Sequence, residues 1–131
     1  LLLDTGAEVL ALSFNDLLGM PEQHQVPDVS RYVPQLSGGG VRLQALLTNV
    51  PIPEDITHLT FHSSDGSFSS SLELHAVLDS GILLYAREGA PLERTKGGPF
   101  RLVLPNRADV CSSVKNLGRI ELTGAKGPAA A

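Results

Sequence analysis

Apolar residues recur at helical spacing in two short segments of the first half of the chain. In the segment ALSFNDLLGMPEQ, Ser13 precedes Asp16 by three residues, which is typical of a capped helix start, and Gly19 and Pro21 end the apolar pattern of Phe14, Leu17 and Leu18. Residues 41–49 place three leucines on one helical face. These patterns predict two short helices. The intervening residues 24–40 contain prolines and end in three glycines, which predicts extended chain and a flexible bend.

From Thr57 onward the apolar period changes to two, which is typical of strands. The runs THLTFHSS and SFSSSLEL flank Asp65-Gly66, a pair that predicts a hairpin turn. One or two helical turns ending at Gly81 follow. The remaining predicted strands are ILLYARE, FRLVLP and LGRIELT. Roughly five strands with two or three short helices predict a mixed α+β fold.

Length and composition bound the possible functions. The chain has 131 residues, 42% of them hydrophobic, which suits one domain over residues 1–123. Residues 124–131 have low complexity and are predicted to be a disordered tail. A net charge of −4 without a basic run argues against nucleic acid, and no apolar run is long enough to span a membrane. The compartment stays open. The one cysteine, Cys111, excludes an internal disulfide and a multi-cysteine metal cluster.

Near the amino terminus, Asp4-Thr5-Gly6 after an apolar run is typical of the catalytic loop of retropepsin-like aspartic proteases. The same residue types also favour a turn between strands. A supporting glycine-rich flap and a second apolar-apolar-glycine segment are not convincing elsewhere in the sequence. We therefore predict that Asp4 is a turn residue, with the aspartic protease as an alternative hypothesis.

Two other groups of polar residues suggest chemistry that their spacing does not support. His58 and His62 are four residues apart, which would suit zinc on a helix, but a strand separates them by about 13 Å. Ser63 and Asp65 lie beside His62 on a hairpin tip, where turn formation explains them better than a hydrolytic triad. We predict no catalytic residue and no metal ligand from these groups.

Cations collect around a predicted strand, loop and strand in the C-terminal third. They are Arg101, Arg107, Lys115 and Arg119, and the loop also carries Ser112 and Ser113. Cations, hydroxyls and free backbone N–H groups at a strand end are what a phosphate-bearing ligand needs. Scattered surface cations are the alternative interpretation, and spacing alone does not separate the two.

The order of several motifs resembles the molybdopterin-binding domain of the sulfite oxidase family of molybdenum oxidoreductases. In the second half they are DGSFSSSLEL, LLYAREGAPL, GGPFRLVLP and VKNLGRIELT, and in the first half LSFNDLLGMP and GGGVRLQALLT. The resemblance covers about residues 9–123. It implies an α+β fold with a mixed β-sheet and a few short helices, and molybdopterin as a cofactor.

The resemblance also implies roles for particular residues. Arg101 matches the family arginine that pairs with the cofactor. Ser112, Ser113 and Lys115 match the loop that supports the pterin phosphate. The closing motif has Asn116 where the family has tryptophan.

One departure from the family concerns the metal. Family enzymes hold molybdenum through a cysteine thiolate in the loop that corresponds to residues 25–37, and a soft sulfur ligand tunes the metal there. This stretch has no cysteine, and Ser30 is its nearest small polar residue. Cys111 lies instead in the C-terminal loop. The resemblance therefore implies a shortened relative that lacks the molybdenum-ligating cysteine and has weak or no redox catalysis.

Two functions are left open by the sequence, besides the protease. The first is a molybdopterin-binding domain of an oxidoreductase. The second is a non-catalytic domain on the same scaffold that binds another small anionic ligand or a partner protein, including a redox partner.

Overall fold

The structure, a computed structural model, describes residues 1–34, 36–48, 50–96, 98–104 and 114–124. Ten strands and three α-helices lie in these residues. The strands are β1 (Leu2–Asp4), β2 (Val9–Ala11), β3 (Gln25–Val26), β4 (Gly39–Arg42), β5 (His58–Ser63), β6 (Ser69–Glu73), β7 (Ile82–Arg87), β8 (Ala90–Pro91), β9 (Arg101–Val103) and β10 (Leu117–Thr123). The helices are α1 (Phe14–Leu18), α2 (Leu43–Leu47) and α3 (Leu74–Ser80). With at most seven residues each, none of the described helices has the length to cross a bilayer.

The strands form two sheets. The first has the order β2-β1-β10-β5-β6, and the second has the order β3-β4-β7-β8 with β9 also paired to β7. Only β1 and β10 run parallel among the described pairs, and the others are antiparallel. Their pairing places Leu3 beside Ile120, so the two ends of the chain share one sheet. Mixed sheets with a few short helices confirm the predicted α+β class.

The main core lies against the inner face of the first sheet. Phe61 and Ile120 contribute fully buried side chains from neighbouring strands. On β7, Leu83 and Tyr85 face this core, whereas Leu84 faces a second, smaller cluster on the other side of its sheet. Both faces of β7 are therefore buried, which explains the continuous apolar run ILLYA that the sequence shows there.

Several local predictions are confirmed. Ser13 caps α1 and exchanges hydrogen bonds with Asp16 in a capping box. The strands β5 and β6 form the hairpin predicted around Asp65-Gly66, with Gly66 at a positive φ of 76°. Helix α3 ends at Gly81, as predicted. In each case the signal lies within a few residues of the element that it specifies.

The glycine-rich segment differs from its prediction. Instead of forming a bend before a helix over 41–49, Gly39 and Gly40 begin β4, and α2 starts only at Leu43. A Cβ at Gly40 would lie 2.8 Å from Ile82 Cγ2 and 2.9 Å from the Leu83 carbonyl oxygen. Glycine is needed here because β7 approaches closely, not because the chain is flexible.

The prediction that Asp4 is a turn residue is wrong in detail, because Asp4 is the last residue of β1 and pairs with Glu121 and Val9. Its side chain contacts the turn that follows and forms an ion pair. Its Oδ1 accepts a hydrogen bond from the Gly6 N–H, and its Oδ2 pairs with the Arg119 guanidinium on β10. These two contacts, the Gly6 hydrogen bond first, hold the pKa of Asp4 below its usual value. Arg119 also lies 3.7 Å from Glu121. The Asp4 carboxylate therefore stabilises the turn after β1 and the contact between β1 and β10.

The two histidines of β5 contact different partners. His62 Nε2 lies 3.0 Å from Glu121 Oε1, and His58 Nδ1 lies 2.8 Å from Thr57 Oγ1. The described residues contain no group of three or more His, Cys, Asp or Glu side chains that could hold a metal ion. The Ser63 hydroxyl donates to Asp65 and not to His62. The arrangement of a hydrolytic triad is therefore not formed at this hairpin.

Candidate ligand-binding site

A cavity of about 430 Å³ lies where the β5–β6 turn meets the start of β9 and the residues before β10. Its lining residues come from all three segments. They are Ser63, Asp65, Ser67, Phe68, Arg101, Lys115 and Asn116. Two of the four residues that the sequence predicts as cofactor contacts, Arg101 and Lys115, therefore share one cavity. The other two, Ser112 and Ser113, lie outside the described residues, as do Cys111 and residues 125–131.

An antiparallel bridge explains why the two cations lie together. Leu102 and Val114 are bridge partners, with N–H···O distances of 2.9 and 3.3 Å in the two directions. Both side chains are fully buried in the main core. Arg101 and Lys115 are the residues next to this bridge in the two segments, and both line the cavity. The bridge thus directs both cations toward the cavity.

The arrangement of charge at this bridge favours an anion. Burial lowers the pKa of the Arg101 guanidinium, although an arginine stays protonated at neutral pH. Lys115 is exposed, and within the described part of the chain it forms no ion pair. An anion bound in this cavity would be attracted by both positive charges.

A hydrogen-bonded turn forms another wall of the cavity. Asp65 Oδ1 accepts from the Ser67 hydroxyl at 2.7 Å, from the Ser67 N–H at 2.9 Å and from the Ser63 hydroxyl at 2.8 Å. These hydrogen bonds, those from Ser67 first, lower the pKa of Asp65 to about 2. The carboxylate is therefore ionised at neutral and mildly acidic pH, and it keeps the turn in one conformation.

Asn116 connects the walls of the cavity. It has a positive φ of 52°, a conformation that asparagine tolerates better than most residues. Its carbonyl oxygen accepts from the Ser64 N–H at 2.7 Å, and its side-chain amide donates to the Gly98 carbonyl. Asparagine at this position, where the family pattern has tryptophan, thus joins the β5–β6 turn to the segment that enters β9.

Arg101 also borders a second cavity, of about 170 Å³. Arg87, Ser37 and Thr95 line this smaller space with it. A third cavity, of about 270 Å³, lies along the stretch in which the family places its cysteine. There Arg42 lies over the Tyr32 ring at 5.7 Å from its centroid. Among the described residues that line these two spaces there is no cysteine.

Sequence reasoning missed the contributions of the β5–β6 turn to the site. The sequence predicts only a turn for Asp65 and indicates no role for Phe68. The Asp-Gly pair specifies the turn locally, but its position beside Arg101 depends on how the first sheet packs against the second. No signal within the hairpin itself indicates that neighbour.

Comparisons with known proteins identify the family. The family model "Oxidoreductase molybdopterin binding domain" matches residues 29–130. No curated protein sequence matches the chain significantly. The crystal structure of the sulfane dehydrogenase SoxCD from Paracoccus pantotrophus is similar, with a TM-score of 0.69 and 20% sequence identity. The similarity covers 97% of this chain but only 39% of that one, and it shows a shared fold. Because the family model matches well over half of its residues, the chain belongs to the oxidoreductase molybdopterin-binding domain family.

Proposed function

We propose that this chain binds molybdopterin through its phosphate, in the cavity beside the bridge between β9 and the residues before β10. The observation that carries the proposal is the placement of Arg101 and Lys115 on one cavity wall by the Leu102–Val114 bridge. A guanidinium offers a planar pair of donors to a phosphate, and an ammonium adds a compact positive charge. Ser112 and Ser113 are proposed as further contacts on the basis of the family resemblance alone.

The residues present fit the anionic end of the cofactor better than its metal. Two cations on a cavity of about 430 Å³ suit a phosphate attached to a larger group. A thiolate is the ligand that the family uses for molybdenum, and residues 25–37 supply none. When bound, a molybdenum centre supplies oxygen-atom transfer chemistry. We therefore propose pterin binding with weak or no redox catalysis by this chain.

A non-catalytic role is the second candidate function. It is favoured by the same missing cysteine, because a domain without that thiolate can still retain the cationic cavity. In this case the ligand is another small anion, or the domain contacts a redox partner protein.

Cofactor content distinguishes the two candidates. The chain would be purified from a host that makes molybdenum cofactor, and pterin fluorescence and molybdenum would be measured per mole of protein. We expect pterin close to one equivalent, with molybdenum below the pterin value because no cysteine in residues 25–37 holds the metal. Protein that carries no pterin, and whose melting temperature does not change on incubation with released cofactor, would contradict pterin binding and favour the non-catalytic role.

A further inference from the structure

The cavity wall formed by the β5–β6 turn differs chemically from the cationic wall. Phe68 has 39% of its surface exposed, and Ser63 binds both its backbone N–H and its backbone carbonyl. Its N–H donates to the Ser63 hydroxyl at 3.0 Å, and its carbonyl oxygen accepts from the Ser63 N–H at 2.9 Å. The cavity therefore has an aromatic ring on a fixed backbone. An aromatic face of this kind binds planar rings by stacking.

Asp65 presents a second feature that a simple anion site would not need. All three hydrogen bonds from Ser63 and Ser67 end on its Oδ1 atom. Its Oδ2 accepts no hydrogen bond from any other residue in the described part of the chain. An ionised carboxylate beside two cations would repel a bare phosphate. It suits a ligand that carries N–H donors at one end and an anionic group at the other.

We propose that the β5–β6 turn recognises the ring of the ligand: Phe68 stacks on a planar heteroaromatic ring, and Asp65 Oδ2 accepts hydrogen bonds from its N–H groups. The chemical class is an amino-substituted heteroaromatic ring linked to a phosphate, which a pterin phosphate satisfies. This inference rests on the proposed function for the phosphate end, where Arg101 and Lys115 lie. It adds that affinity and selectivity for the ring come from the hairpin.

Two substitutions test the ring-binding wall with little change to the fold. Asp65→Asn keeps an Oδ1 atom that accepts the three hydrogen bonds of the turn, and exchanges the other oxygen for an N–H donor. Phe68→Ala removes the aromatic face. Leu18→Ala is the matched control for the loss of an exposed apolar side chain, because Leu18 is 56% exposed on α1 and lies outside the cavity.

Three probes separate the parts of the ligand: inorganic phosphate, phenyl phosphate and a hydroxymethylpterin monophosphate. We expect Phe68→Ala to weaken binding of both aromatic probes about tenfold and to leave inorganic phosphate unchanged. We expect Asp65→Asn to weaken only the pterin probe, also about tenfold or more. Inorganic phosphate should bind Asp65→Asn as well as or better than the unaltered protein, because a nearby negative charge is gone.

An Arg101→Ala variant tests the proposed phosphate site, whereas the two hairpin variants test recognition of the ring. If Arg101→Ala weakens all three probes while Phe68→Ala and Asp65→Asn bind the pterin probe like the Leu18→Ala control, ring recognition by the hairpin is wrong and the phosphate site stands. If Arg101→Ala weakens none of the probes, the proposed phosphate site itself is wrong. Circular dichroism of each variant checks that the fold is retained.

Discussion

Replacing Phe61 by alanine is expected to lower the free energy of unfolding by about 3–5 kcal/mol. Phe61 is fully buried on β5, beside Ile120 of β10 and opposite Ser70 of β6. Its ring fills the centre of the core beneath the first sheet, so truncation removes apolar burial and leaves a cavity. Because this strand leads directly into the β5–β6 turn, loss of the core should also loosen the proposed ligand site.

Chemical denaturation of the two phenylalanine variants provides the measurement and its control. Phe68→Ala removes the same side chain from a half-exposed position and should cost about 1 kcal/mol or less. Equal losses of unfolding free energy for Phe61→Ala and Phe68→Ala would show that the burial described for β5 is wrong.

The second large effect concerns the two cations. Removing both, as Arg101→Ala with Lys115→Ala, is expected to weaken binding of a hydroxymethylpterin monophosphate by at least about 100-fold. Each group loses a charge-assisted contact to the phosphate, worth about 1.5–3 kcal/mol, although neighbouring groups need not contribute additively. Affinity of the unaltered protein should fall as salt is added, since part of the attraction is screened. Isothermal titration calorimetry gives both quantities.

The unfolding free energy of each variant shows whether weaker binding results from the lost cation or from a lost fold. Lys115 is exposed and has no ion pair in the described residues, so Lys115→Ala should change the unfolding free energy by about 0.5 kcal/mol or less. Arg31→Ala, which removes an exposed arginine from the third cavity, is the matched control for charge. Equal pterin affinities for the double variant and for Arg31→Ala would contradict the site.

The parts of the fold that the sequence predicts correctly have strong local signals. The Ser13 and Asp16 capping box specifies the start of α1, and Asp65-Gly66 specifies the β5–β6 hairpin. Strands of two to four residues, such as β3 and β8, are too short to show a period. The parallel pairing of β1 with β10 joins residues more than a hundred positions apart, which no local pattern reports.

The residues of the site also fall into those that the sequence predicts and those that it does not. The family resemblance predicts Arg101 and Lys115 as ligand contacts, but their placement on one cavity depends on the Leu102–Val114 bridge. The sequence does not indicate Phe68, because nothing in its hairpin shows which segment lies beside it. Composition predicts a bend at Gly39 and Gly40, because it does not distinguish flexibility from the close strand contact that the structure shows there.

Mapping the bound pterin phosphate onto the chain tests the central claim most directly. In a titration followed by amide chemical shifts, the largest changes are expected at Phe68, Arg101 and Lys115, and they should saturate together with one affinity. Saturable shifts confined to the third cavity, around Tyr32 and Arg42, would show that the ligand binds elsewhere. No shifts at a concentration of ligand that saturates other pterin-binding proteins would show that this chain does not bind it.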